Sequence, residues 1–472
     1  MFVGREREIG LLREFGQRRT AGLVVCRGRR RIGKSTLIEE FGKHRRFLEF
    51  YGLAPREDLR NEDQLKHFGQ QMGTAFGLPA MHFENWHEAL ATLAGLTVKG
   101  EVVILLDEIS WMASKDKDFA GTLKGVWDTR FKKNDQLILF LCGSVTSWID
   151  TNILNDKGFM GRVSLTLTVE ELPLRSTNAF WKGGGHISAA EKLRLLCVTG
   201  GVPRYLEEIR PDQTAEQNIK RMCFSPGGLL FTEFDKIFKD IFGARSATFK
   251  RLVEALSGAP LEPGHLCRAL GLKPTGSFSE MLAILEAAGM VARDFAWDTK
   301  GRKTALSKYR IRDNYLRFYL RYIEPVKEKV ERGLFHDVHL ESLPNWDTIM
   351  GLQFENLILN NLEAIIRILD ISPESVVSAA PYFQRQTLRH RGCQVDLLIQ
   401  TKNTFYVCEI KFQKRVSASI SNEVTEKISA MPARNSYSIR PVLIHEGELA
   451  PGIKQSDVFC RMISGTDLLA GS

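Results

Sequence analysis

The sequence predicts an α/β protein whose centre is a parallel sheet, and three stretches predict it. Residues 23–37 pass from an apolar run through a glycine-bounded basic loop into an apolar helical pattern. Residues 101–111, EVVILLDEISW, hold an unbroken β-branched and leucine run that suits a strand buried on both faces. Residues 136–142, QLILFLC, repeat that signature. A length of 472 residues suggests about three domains.

In chain order, Phe2-Val3-Gly4-Arg5-Glu6 precedes a helical pattern through Ile9, Leu11, Leu12 and Phe15. By itself this is an amphipathic first helix. Beside a phosphate loop it is also a candidate contact to a nucleotide base. That loop follows: Gly28, then Arg29, Arg30, Arg31 and Ile32, then Gly33-Lys34-Ser35-Thr36. The two glycines let the backbone turn its N–H groups inward, where they and the helix start bind anionic oxygens. Lys34 reaches the β and γ phosphates, and the Ser35 hydroxyl is a Mg²⁺ ligand. ATP and Mg²⁺ are therefore the expected cofactors.

Residues 47–51 read as a strand, and 64–76 and 86–96 as helices. The strand in 101–111 ends on Asp107-Glu108, at the edge where parallel sheets bind ligands. Asp107 would hold Mg²⁺ through water, and Glu108 would polarise the attacking water. Ser144 follows the 136–142 strand as a γ-phosphate sensor or a simple turn serine. Arg162, in GFMGRVS, is a candidate phosphate-facing arginine, in cis or from a neighbouring subunit, or else an ordinary surface residue. Helix 189–198 breaks at Gly200-Gly201-Val202-Pro203, where Pro203 starts another. A small helical lid would put this turn near the base.

The amino-terminal box, phosphate loop, Asp-Glu strand, Gly-Ser turn and GGVP turn together resemble the archaeal-type ATPases of the AAA+/STAND radiation, over most of residues 1–235. The resemblance places Gly4 and Arg5 on the adenine side. It also implies that a nuclease-like domain often follows.

Residues 245–322 change character. Helices are expected over 248–256, 262–270 and 276–289, then strands over 290–293 and 308–311. The connection carries Lys300, Arg302 and Lys303. Three helices and a basic hairpin suggest a winged helix. Its third helix, GSFSEMLAILEAAG, is acidic and has no Lys or Arg, so an interdomain or protein-contact role stands beside DNA reading. Residues 309–322 suggest an amphipathic connecting helix with core aromatics, and 324–346 a linker.

A second chemical centre follows. Helix 351–362 carries Glu355 beside its apolar face. Strands 395–399 and 405–412 form a hairpin with Asp396 in the first, and Glu409 and Lys411 on one face of the second. Two carboxylates and a lysine on one patch suit metal-assisted phosphodiester hydrolysis. Asp396 and Glu409 would bind Mg²⁺, and Lys411 would position water. A surface hairpin of alternating charge is the plain alternative. The set is similar to the PD-(D/E)XK nuclease superfamily across 347–472. That resemblance implies a restriction-endonuclease-like α/β fold with Glu355 as helix acid, Asp396 as strand acid and Glu409-x-Lys411 as the motif pair. Val395 stands where that family often has proline. The arch 384–391 and Lys414-Arg415 add positive charge that fits a phosphate backbone.

The expected plan is thus a P-loop ATPase core (1–170), a helical lid (171–240), a winged helix (241–323), a linker (324–346) and a nuclease-like domain (347–472). A balance of 65 basic to 56 acidic residues, net +9, suits a polyanionic partner without requiring one. DNA is that expected partner, with a homo-oligomer as a further candidate. Eight scattered cysteines without a CxxC pair read as reduced core residues of a cytoplasmic protein. No signal-peptide core and no bilayer-length apolar run appear, so no membrane partner is expected. The favoured function is an ATPase coupled to a Mg²⁺-dependent DNA nuclease. A nucleotide-switched scaffold with a non-cleaving nuclease fold is the alternative, and a kinase would leave the carboxyl half without a role.

Overall fold

GLVVCR, Gly22–Arg27, forms β1, an inner strand of the first sheet. The computed structural model describes every residue except 1, 57, 145, 184, 299–300, 336–337, 387–390, 432–436 and 471–472. It divides into Met1–Glu170 with Ile237–Gly243, and Glu171–Lys236 with Ala244–Ser472.

In the first unit β1 is joined by β2 (Arg46–Tyr51), β3 (Val102–Asp107), β4 (Leu137–Gly143) and β5 (Val163–Thr168). All are parallel, in the order β2-β3-β4-β1-β5. Helices cover both faces of such a sheet, so its inner strands carry no solvent side. Every residue of β4 is buried, as are all of β1 and β3 but their last residues. Helices Asn61–Phe76, Trp86–Leu96 and Phe119–Thr129 supply one core around Phe68, Trp86 and Phe119. The edge strand β5 alternates instead, as a half-covered strand should.

The second unit opens with the short helix Leu174–Thr177, followed by helix Ala189–Thr199 and the short helix Pro203–Leu206. Helices Ser246–Leu256, Pro263–Leu270 and Gly276–Ala287 precede the antiparallel hairpin β6 (Val291–Trp297) and β7 (Lys303–Ile311). The hairpin is longer than the expected 290–293 and 308–311, and Lys300 lies outside the described residues. Its tip is not a free wing. A Cβ at Gly301 would meet Val377, and Trp297 packs among Tyr382, Leu398, Phe405 and Val407. Of the two roles open to the basic hairpin, this favours the interdomain one. The connecting helix begins at Asn314 rather than 309, because Tyr309 to Ile311 complete β7. Tyr315, Phe318, Tyr319 and Tyr322 are core residues, as their spacing suggests.

Helix Trp346–Leu359 starts earlier than expected and stops at Asn360, before helix Leu362–Ile368. A second five-stranded sheet follows: β8 (Val376–Gln384), β9 (Cys393–Thr401), β10 (Thr404–Val416), β11 (Ser438–Leu449) and β12 (Arg461–Ser464), ordered β12-β11-β10-β9-β8. β8, β9 and β10 are antiparallel neighbours, while β10, β11 and β12 run parallel. Part of the arch 384–391 lies outside the described residues. Six of the cysteines are buried, Cys393 is half-buried and Cys460 is exposed, which corrects the core reading for the last.

Candidate functional site

The first unit gathers its polar groups at the carboxyl edge of the parallel sheet. Gly28 adopts φ +151°, and a Cβ there would come within 2.4 Å of the Val169 carbonyl oxygen. Only glycine fits this first corner. Gly33, at φ +84°, closes the loop and leads into helix Lys34–Gly42. The buried Lys34 amine donates across the loop to the carbonyls of Gly28 and Arg29, both at 3.1 Å. Ser35 Oγ donates to Asp107 Oδ2 at 2.6 Å, joining the helix start to the end of β3. Arg30 pairs with Asp240 and lies over the Trp111 ring. Ile32 is buried, Thr36 is exposed, and Arg31 takes φ +68°.

Glu108 also has positive φ, +48°. The turn aims its carboxylate at the tip of β4, where the Ser144 N–H and hydroxyl both donate to Oε2, at 3.0 and 2.9 Å. Ser144 therefore holds the expected water-polarising group. Gly4 takes φ +68°, and Arg5 is buried with Nη2 donating to the carbonyls of Ile32 and Glu170 at 2.9 and 2.7 Å. The first box is thus a strut beneath the phosphate loop; the Arg5 guanidinium is spent on two backbone carbonyls and on Glu8 rather than on a base.

Arg162 departs from its expectation in cis. It precedes β5, whose first residue pairs with Leu23 near the start of β1, so it sits at the sheet's amino edge, away from the loop. Its guanidinium grips Asp128 through Nε at 3.0 and 2.9 Å and Nη2 at 2.8 Å. Pro203 belongs to the second unit, at the first position of its short helix; the preceding Gly201 N–H donates to Glu171 Oε2 at 3.0 Å.

The second unit brings the late acids together. Pairing of β9 with β10 runs to Leu397 opposite Cys408 and then ends. The strands part there, and Asp396 Oδ2 accepts the N–H of Ile410 at 2.9 Å. Glu409, 1% exposed, receives Lys411 on Oε1 at 2.9 Å and Lys427 on Oε2 at 2.6 Å. Burial, then the charge of Glu409, pushes the Asp396 carboxyl up to about 6. Burial, then the charge of Asp396, pushes Glu355 up to about 7, although Arg310 and Arg317 oppose it. Burial alone would lower the Lys411 amine, but Glu409 outweighs it and the group is raised. Among the described residues no three His, Cys, Asp or Glu side chains form a metal-holding group. A Mg²⁺ site needs less, since that ion keeps several waters and takes one or two carboxylates.

Two residues escaped the sequence reading. Lys427 lies on helix Ile420–Ala430, eighteen positions after Glu409, and its only signal is the Glu423/Lys427 spacing on one helical face. Glu49 in β2 is raised by burial and by the charge of Asp107, two positions beyond its register partner Leu105 in β3; it looked like an ordinary alternating strand residue.

Residues 2–209 match a family profile described as an ATPase domain predominantly from Archaea. Residues 319–428 match another, described as Archaea bacterial proteins of unknown function. An uncharacterized protein of Methanocaldococcus jannaschii is 23% identical over 406 residues, 85% of each chain. The Walker-type ATPase of Pyrococcus abyssi is 17% identical at a TM-score of 0.49, covering 67% of this chain and 95% of its own. The ORC2 protein of Aeropyrum pernix is 14% identical at 0.43, covering 70% and 95%. No helix among the described residues is long and apolar enough to cross a membrane.

Proposed function

We infer, from a chain whose residues 2–209 are an archaeal-type P-loop ATPase domain, that ATP hydrolysis is coupled to Mg²⁺-dependent cleavage of DNA. In the first unit Lys34 and the loop amides bind the β and γ phosphates of ATP. The hydroxyl–carboxylate pair of Ser35 and Asp107 is a hard-oxygen donor set that fits Mg²⁺, which supplies charge neutralisation when bound. Glu108 accepts a proton from water once Ser144 lets its carboxylate turn toward the phosphates.

For the nuclease, the observation that carries the reading is the meeting of half-buried Asp396, Glu355 and Lys411 around the buried Glu409. Carboxyls raised by burial and mutual repulsion are an undercompensated negative site, and a divalent cation relieves it. Asp396 and Glu409 would hold that ion, which supplies Lewis acidity and a more acidic water. Lys411 orients the water, and Glu355 holds or releases a proton near neutral pH. In this reading 171–240 form the lid, 241–323 the winged helix and 347–472 the nuclease-like domain.

The test is plasmid cleavage with Mg²⁺ or Mn²⁺, with and without ATP. Wild type cuts, Asp396→Ala and Lys411→Ala do not, and both variants keep ATP turnover. No cutting by wild type under any metal defeats the nuclease reading. One observation favours a second reading: both Glu409 oxygens already carry a lysine. A nucleotide-switched protein with a non-cleaving nuclease fold would bind DNA, change mass between ADP and an ATP analogue, and cut nothing.

A further inference from the structure

Between the β6–β7 hairpin and the end of helix Trp346–Leu359 lies a cavity of about 490 Å³, lined by Arg293, Arg310, Arg312, Glu286 and Asn360, with apolar walls that include Leu362. Its size falls within the ~300–1,000 Å³ of small-molecule sites. The arginines are seated. Arg293 donates from Nε to Ser307 Oγ at 3.0 Å, and its guanidinium lies 4.5 Å from the Phe295 ring and 5.3 Å from that of Tyr309. Arg310, 8% exposed, donates to Asp294 Oδ2 at 2.8 Å and to Asn356. The Arg312 carbonyl accepts from Asn356 and Asn360. The Arg293 and Arg310 cations, held this way, lose little freedom when they meet an anion.

The cavity adjoins the acidic cluster. Its wall residue Leu359 is one helical turn beyond Glu355, and Arg310 both lines the cavity and acts on the Glu355 carboxyl. A bare anion would be opposed by Glu286 and Glu363, and an apolar ligand by the arginines. A nucleotide matches all three kinds of wall. Its phosphate suits Arg293 and Arg312, its base suits the apolar residues, and the base N–H edge suits Glu286.

We propose that this cavity binds one nucleotide of a single DNA strand, beside the cluster that cuts it. Assignment to a strand, rather than to a free mononucleotide of the same chemistry, rests on the nuclease reading above.

The test is metal-free binding in EDTA by the full chain, in a Lys34→Ala background that removes the phosphate loop's own nucleotide binding. The probes are a fluorescent single-stranded oligonucleotide of about 12 nucleotides and dTMP. Arg293→Ala is expected to weaken the oligonucleotide about tenfold or more, with partial recovery in Arg293→Lys. Glu286→Gln is expected to weaken it less and to change its base preference. Thermal melting checks that the variants fold; if Arg293→Ala does not, Arg293→Lys and Glu286→Gln decide. Binding by wild type that these variants leave unchanged overturns the proposal, as does no oligonucleotide binding by wild type. If dTMP binds as tightly as the oligonucleotide, the strand assignment falls. Weakened binding with no plasmid cleavage by wild type keeps the cavity and removes the nuclease reading. Unchanged cleavage by Arg293→Ala does the reverse.

Discussion

Ser144 donates twice to a single oxygen of Glu108, from its backbone at 3.0 Å and its hydroxyl at 2.9 Å. The positive φ of Glu108 costs about 1–2 kcal/mol for a non-glycine residue, and these bonds help hold it. Glu108→Gln is expected to bind ATP and lower turnover by about 100-fold or more, the scale of a lost general base. Ser144→Ala removes one donor worth ~1 kcal/mol, so its turnover should change only about fivefold. Phosphate release and binding of a labelled ATP analogue measure both. Turnover by Glu108→Gln equal to wild type would remove Glu108 from that role.

The corner at Gly28 admits no side chain. Gly28→Ala should shift β1 against the Val169 carbonyl, cost ~2 kcal/mol or more and abolish ATP-analogue binding. Gly77→Ala is the control, because it also has positive φ but faces open space. It should cost ~1 kcal/mol and leave binding intact. Melting curves with and without the analogue compare the two.

Glu355 and Asp396 give the second unit a pH signature. Their folded values, about 7 and about 6, lie above the ordinary 4.5 and 3.8. The folded chain therefore holds extra protons between those limits. Their contribution to stability is complete below about pH 4 and is lost as pH rises through 6 and then 7. A divalent cation competes with the same protons. Mn²⁺ or Mg²⁺ should raise the melting temperature more at pH 8 than at pH 5, and Asp396→Asn should abolish that difference. An equal rise at both pH values would speak against a metal at this cluster.

Lys427→Ala leaves buried Glu409 with one cation instead of two. A broken buried pair costs ~3 kcal/mol or more, so the variant should melt earlier even though Lys411 remains. Lys427→Arg should recover part of the loss. A melting temperature equal to wild type would mean that Lys427 contributes nothing there.

Arg162→Ala should leave ATP-analogue binding by the dilute chain unchanged and move the melting temperature little, since the Asp128 pair is partly exposed. A marked loss of binding would return Arg162 to the phosphates.

What the sequence made legible followed from local rules. Strand burial and the glycine corners come from spacing within strand–loop–helix units, whereas the meeting of Ser35 with Asp107, 72 positions apart, follows from the order of strands in the sheet. Glu409 and Lys411 were readable because alternation along a strand fixes their common face. Lys427 was not, because its approach to Glu409 depends on how a helix settles on the sheet, a long-range packing outcome with no short motif. Arg162 misled for a related reason: a basic residue in a glycine loop has a residue type, but only the strand register shows which edge of the sheet it occupies. The box at Gly4 and Arg5 was located correctly beside the loop while its side chain turned inward to backbone carbonyls, a choice that depends on Glu170, far along the chain.

Trp297, on the hairpin, lies in one apolar cluster with Tyr382 and Phe405 from the carboxyl-terminal sheet. Gene fusion or exchange at the apparent seam near residue 346 would strand an indole on one fragment and its socket on the other. The two segments should therefore be inherited as a block, and a carboxyl-terminal piece expressed from 347 onward should come out insoluble unless 290–312 are supplied with it.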